Sequence, residues 1–279
     1  KSLTCILATT GAGKSLFMCH HAASVLAQGK NVLYITMEMA EERIAERIDA
    51  NLMNIPIDQL ENLSKDMFDN KVAKLQAKTS GKLIVKEYPT AGAHVGHFKM
   101  LLNELKLKKN FEPDIIFIDY LNICASSRIK GLSGGVNTYS MVKSIAEEVR
   151  GMAVEHDVPI VTATQSNRDG LNNSDVDLSN TSESFGVPAT TDLMFALMRN
   201  EELDKLNQIL VKQLKNRYGD PGQNKRFVIG VDRAKMKLYD VEESAQNLVN
   251  DSSASPVQED VPINSFGTRE RKDFGDFNI

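Results

Sequence analysis

Leu3-Thr4-Cys5-Ile6-Leu7-Ala8-Thr9-Thr10-Gly11-Ala12-Gly13-Lys14-Ser15 sets an apolar run against a small, glycine-containing turn that closes on Lys-Ser. The run has strand composition, and helical spacing starts at Lys14 and continues to about Gln28, where Gly29 supplies a left-handed end. Small residues between a strand and a helix let successive backbone amides curl round an anion at the helix N-terminus, where the helix dipole adds attraction. A glycine turn that merely caps a helix is the plain alternative, but Gly-Lys-Ser behind an apolar strand seldom arises that way.

The segment is therefore expected to be a Walker A phosphate loop, with Ala8 standing where the pattern has its first glycine. Ala8, Thr9, Thr10, Gly11, Ala12 and Gly13 would form the cradle. Lys14 would reach the β- and γ-phosphates of ATP or GTP, and Ser15 would bind Mg²⁺.

Outward from this loop, short β-branched runs alternate with longer segments of helical period. That is the pattern of an α/β fold with a mostly parallel central sheet flanked by helices. Strands are expected at Val32 to Met37, Leu83 to Lys86, Ile115 to Ile118, Ile160 to Thr164 and Leu193 to Leu197. Helices are expected at about Ala40 to Met53, Lys65 to Lys78, Val95 to Lys108 and Thr138 to Glu155. After Asn200 the rhythm changes, and Gln208 to Leu214, Arg226 to Val231 and Lys237 to Val241 predict an antiparallel C-terminal extension on the sheet edge.

Three polar side chains close three of the apolar runs. Asp119 follows Ile115-Ile116-Phe117-Ile118, at the strand end where open α/β sheets bind ligands, and reads as a Walker B aspartate placed to hold Mg²⁺ with its hydration shell. Glu38 could orient and deprotonate an attacking water, or could simply favour the start of the next helix as Glu41 and Glu42 do. Gln165 could sense loss of the γ-phosphate, or could be a polar strand terminator.

Length and composition suit one large domain with a tail: 279 residues, 42% hydrophobic and 25% charged. Residues 1–242 are read as that domain. Residues 243–279 are read as an acidic, disordered tail, because their composition shifts to Ser, Asn, Asp, Gln and Pro. From Val241 onward eight Asp/Glu face three Lys/Arg, which accounts for the formal charge of -4 and leaves the body near neutral. Any nucleic-acid site must therefore be local.

The three cysteines lie far apart with no metal-ligand spacing, which favours a reducing cytoplasm. No apolar stretch has spanning length, so membrane roles are set aside. The chain opens at Lys1, two residues before a core strand, and is read as part of a longer protein whose N-terminal domain precedes it. His94 and His97 lack a third ligand and are assigned to a helix start rather than a metal.

The phosphate loop, Tyr34-Ile35-Thr36-Met37-Glu38-Met39, Asp114 to Leu121 and Thr164-Gln165-Ser166-Asn167-Arg168 together resemble the motor domain of DnaB-family replicative helicases. The resemblance spans about residues 1 to 240. Leu101 to Phe111 and Asn216-Arg217-Tyr218-Gly219-Asp220 resemble the T-even phage branch of that family.

The resemblance implies a RecA-like P-loop NTPase that forms a homohexameric ring and moves 5′ to 3′ on single-stranded DNA at a replication fork. Its partners would be a primase and a helicase loader, in the cytoplasm of a bacterial host cell. It implies that Lys215 and Arg217 reach the neighbouring subunit's nucleotide, although alternating charges on an edge strand also serve as solvent-facing protection. It also implies that the loops Ser126 to Asn137 and Asn167 to Thr181 line the DNA channel, with Arg128, Lys130 and Arg168 gripping phosphates. Neither loop contains an aromatic residue, so the grip would be insensitive to sequence. A RecA-type recombinase is the competing expectation, and a non-motor P-loop switch or kinase a third.

Overall fold

The computed structural model describes residues 1–9, 11–129, 138–165, 186–220, 225–242 and 246. Its parallel strands are β1 (Leu3–Ala8), β2 (Val32–Thr36), β3 (Leu83–Glu87), β4 (Ile115–Asp119), β5 (Ile160–Gln165) and β6 (Leu193–Met198). Antiparallel β7 (Gln208–Asn216), β8 (Arg226–Asp232) and β9 (Lys237–Asp240) extend one edge. The nine-stranded order is β3-β2-β4-β5-β1-β6-β7-β8-β9.

The strands are continuous apolar runs because both faces are covered. In β1, Leu3, Cys5 and Leu7 join the core cluster under α5 (Val95–Lys109) and α6 (Thr138–Glu155), while Ile6 and Ala8 join the opposite cluster under α1 (Lys14–Ala27) and α2 (Glu41–Met53). Period-two alternation thus builds two cores from one sheet. Each fully buried aliphatic side chain contributes roughly 1.5–3 kcal/mol, so interrupting any central run is costly.

The expected helix ends hold: Gly29 follows α1 at φ +80°, and α2 stops at Asn54, also left-handed. Two strands are one residue shorter than expected, with β9 stopping at Asp240 rather than Val241. β2 ends at Thr36 because the Thr36 hydroxyl accepts from the Met39 amide (3.1 Å) and donates to the Met39 carbonyl (2.8 Å), closing a turn. The short helices α3 (Ile57–Leu60), α7 (Gly186–Thr190) and α8 (Glu201–Lys205) were not foreseen, since a single turn carries no periodic signal. Of these, α8 is capped by Asn200, whose side-chain oxygen accepts from the Leu203 amide at 2.7 Å. The remaining helix, α4, spans Lys65–Lys78 as expected.

Parallel pairing brings Ala8 beside Gln165 and Thr36 beside Asp119 at one edge of the sheet. The expected tail lies outside the described residues except for Gln246, whose side-chain amide pairs with both backbone groups of Val228 on β8 (2.8 and 2.7 Å). Among the described residues no helix is long and apolar enough to cross a membrane.

Candidate functional site

β1 delivers the chain at Ala8 to the carboxyl edge, where the Ala12 amide donates to the Thr9 carbonyl at 3.1 Å and tightens the turn. Gly11 (φ +77°) and Gly13 (φ +101°) take conformations that residues with a Cβ rarely adopt. Gly13 caps α1 without a side-chain bond, so the helix starts with amides available to an anion. Lys14 and Ser15 open α1, as expected, and Ala12 is buried beneath the turn. Thr10 lies outside the described residues.

Lys14 is the centre of the site. Its Nζ donates to Glu38 Oε2 at 3.0 Å, lies 3.6 Å from Asp119 Oδ1 and sits 3.3 Å above the centre of the Tyr120 ring. Glu38 lies two residues past the end of β2, and β2 is separated from β1 by β4 and β5. The turn after Thr36, not strand adjacency, therefore brings it beside the loop.

Asp119 is fully buried. Its Oδ2 accepts from the Tyr34 hydroxyl at 3.1 Å, whereas Oδ1 has no hydrogen-bond donor among the described residues. The Tyr34 ring stacks on Phe117 at 5.6 Å. Burial, reinforced by Cys19 and Asp119, pushes its phenol well above the ordinary value, so it remains a donor.

Lys14 and Glu38 line a cavity of about 320 Å³ together with Ala8, Thr9, Gly11, Gly13, Ser15, Leu16, Arg47, Gln165, Arg233 and Met236. Arg199, just after β6, donates through Nη1 to the Gly11 carbonyl and grips Asp204 with Nε and Nη2, both at 2.8 Å. The loop is therefore braced from β6. Among the described residues no His, Cys, Asp and Glu cluster of metal-site type occurs.

Residues 1–230 match the DnaB-like helicase C terminal domain. The chain belongs to that family. It is 45% identical over 258 residues to the DnaB-like replicative helicase of Enterobacteria phage T4, covering 91% of this chain and 54% of that protein. It is 27% identical over 202 residues to the replicative DNA helicase DnaB of Helicobacter pylori, covering 71% and 40%. The chain thus spans about half the length of the curated relatives it matches. The fold is shared with a solved, isolated ATPase domain (TM-score 0.71, 19% identity, covering 86% of this chain and 85% of that one). A DnaB-like replicative helicase solved to show its interactions with primase is equally similar (TM-score 0.70, 20% identity, 86% and 57% covered).

In this DnaB-like domain Lys215 and Arg217 lie at the other edge of the sheet from the phosphate loop, because antiparallel β7 ends beside the start of β6. Lys215 Nζ donates to the Pro188 and Ala189 carbonyls (2.5 and 3.2 Å). Arg217 donates to Asp192 Oδ1 at 2.7 Å and to the Ala189 carbonyl at 3.3 Å. Of the expected DNA contacts only Arg128 is described, 59% exposed and paired with Glu147 at 3.0 Å; Lys130 and Arg168 lie outside the described residues. Its loop root is tied down, since Glu148 accepts from Ser126 Oγ (2.6 Å), Ser127 Oγ (2.6 Å) and the Ser127 amide (2.9 Å). His94 and His97 cap α5: His94 Nδ1 accepts from the Gly96 amide, and His97 Nδ1 from the His94 amide.

Sequence reading missed Tyr34, Tyr120, Asp192 and Arg199. Tyr34 looks like any core strand residue, and only its phenol among apolar neighbours hinted at a buried acceptor.

Proposed function

We propose that this domain is the NTP-hydrolysing motor of a ring-shaped replicative DNA helicase. One observation carries the reading: Lys14, Glu38 and Asp119 converge within 3.6 Å at the mouth of a glycine turn that opens a helix. Two carboxylates sharing one lysine leave a site that a polyphosphate with its counter-ion completes.

When phosphate enters, Lys14 exchanges Glu38 for phosphate oxygens, guided by the first amides of α1. Glu38 is then free to align a water and accept its proton as that oxygen attacks the γ-phosphorus, the bond to the β–γ bridging oxygen breaks and the nucleoside diphosphate leaves. Asp119 and Ser15 fit Mg²⁺, because hard oxygen donors suit it and Asp119 Oδ1 is buried without a donor. Bound there, the ion would neutralise charge developing on the phosphates. Gln165, at the tip of β5 and in the cavity lining, is assigned to register the γ-phosphate.

Lys215 and Arg217 point away from their own phosphate loop, which suits action on the nucleotide of a second copy in a homohexamer. Arg128, Lys130 and Arg168 are assigned to single-strand phosphates, giving 5′ to 3′ movement at a replication fork in the bacterial host cytoplasm, with a primase and a loader as partners. Residues 1–242 would form the motor and residues 243–279 an acidic tail.

The test pairs strand separation on a 5′-tailed fork with electron microscopy in the presence of nucleotide and DNA. Closed rings with nucleotide-dependent unwinding are expected. Open filaments, or hydrolysis that persists in Lys14→Ala, would overturn the assignment.

A further inference from the structure

Asp192 lies between α7 and β6, at the amino edge, and its side chain is 1% exposed. It accepts from the Leu3 amide (3.0 Å), from Arg150 Nη2 (3.0 Å) and Nε (3.3 Å), and from Arg217 Nη1 (2.7 Å). One buried carboxylate therefore joins the first strand, α6 and the end of β7. The last carbonyls of α7 complete the arrangement by holding Lys215 and the second Arg217 nitrogen.

These connections are not arbitrary in sequence. Arg150 belongs to α6, the next α-helix after β4, and α7 is the next described helix after β5. Among the described residues, the two basic residues at the end of β7 are thus held by groups on, or adjoining, α6 and α7. A guanidinium held by a charge-assisted bond to a buried carboxylate has its direction fixed, so Asp192 decides where Arg217 points, and Arg150 decides where Asp192 points.

We infer that Asp192 and Arg150 are positioning residues for Arg217, aiming it toward the nucleotide of a second copy of this chain. This rests on the assignment of Arg217 to trans action. It assigns a task to two residues that touch no nucleotide, one on α6 and one just after α7.

The experiment is a double-mutant cycle on steady-state ATP turnover in the assembled chain, with saturating single-stranded DNA. The variants are Arg217→Ala, Arg150→Gln, Asp192→Asn and the pairs with Arg217→Ala. Arg150→Gln and Asp192→Asn should each lower kcat about tenfold, the scale of one charge-assisted bond, with KM for ATP unchanged. Added to Arg217→Ala, neither should lower kcat further, because both act through the same guanidinium.

Multiplicative losses in the pairs, a changed KM, or wild-type kcat in Arg150→Gln would overturn the inference. Normal turnover in Arg217→Ala would instead remove the trans assignment, and the inference with it. Should Asp192→Asn fail to fold, the Arg150→Gln arm decides alone, since that side chain is 34% exposed and its loss leaves the Leu3 and Arg217 bonds in place.

Discussion

The two edges of the parallel sheet are opposites in how their charges are satisfied. At the carboxyl edge two carboxylates share one lysine, and a buried oxygen of Asp119 has no hydrogen-bond donor among the described residues. At the amino edge one carboxylate, Asp192, is surrounded by donors, and both Lys215 and Arg217 also reach carbonyls. The first edge is incomplete and invites a ligand. The second is complete but holds surplus cations, which suits groups aimed at an anion elsewhere.

That contrast can be broken at either end. The largest effect is expected from Lys14→Ala, which should abolish turnover and weaken nucleotide binding together, as a fluorescent-nucleotide titration beside a phosphate-release assay would show. Arg217→Ala should cost roughly a thousandfold in kcat, the low end for a trans arginine, while the same titration finds binding intact. If both variants lose binding equally, the two edges do not differ in the way described.

Asp192→Asn probes the satisfied edge by stability. Removing one partner from a buried charge network costs about 3 kcal/mol. Burial raises the Asp192 carboxyl, but the Leu3 amide, Arg150 and Arg217 together outweigh it and hold the group below its ordinary range. A depressed carboxylate contributes stability that is complete above its unfolded pKa, near 4, and is lost as pH falls through the folded value. The gap between wild type and variant should accordingly be widest at neutral pH and close below about pH 4, which urea denaturation at both ends of that range would reveal.

The smallest effect is expected from Tyr34→Phe. It removes one hydrogen bond to Asp119, worth about 1 kcal/mol, without touching the loop. A few-fold rise in the Mg²⁺ needed for half-maximal turnover, with metal-free nucleotide affinity unchanged, would sharpen the view that Tyr34 turns the free Asp119 oxygen outward.

Most of the fold was legible because two-sided burial writes itself into local sequence: each expected parallel strand lies within a residue or so of its observed limits, and α4 and α6 match theirs. The site was legible where a polar residue ends an apolar run, as at Asp119 and Gln165. It was not legible where meaning comes from distant partners. Asp192 meets Leu3 across 189 positions and Arg150 across 42, and Arg199 reaches Gly11 across 188. An isolated Asp before Leu193 or an Arg after Met198 carries no local signal of such pairings, and the approach of Glu38 to Lys14 depended on a threonine turn that hydrophobic patterning does not encode.

β1 is bonded to Asp192 at its first residue and runs into the phosphate loop at its last. Six extended residues span about 20 Å, far beyond the reach of any side chain, so a lone protomer cannot bring its own Arg217 to its own phosphate loop. With Arg217 acting in trans as proposed, each subunit would be a link with a hook at one end and an eye at the other, and specific activity should climb with protein concentration until the chain of links closes.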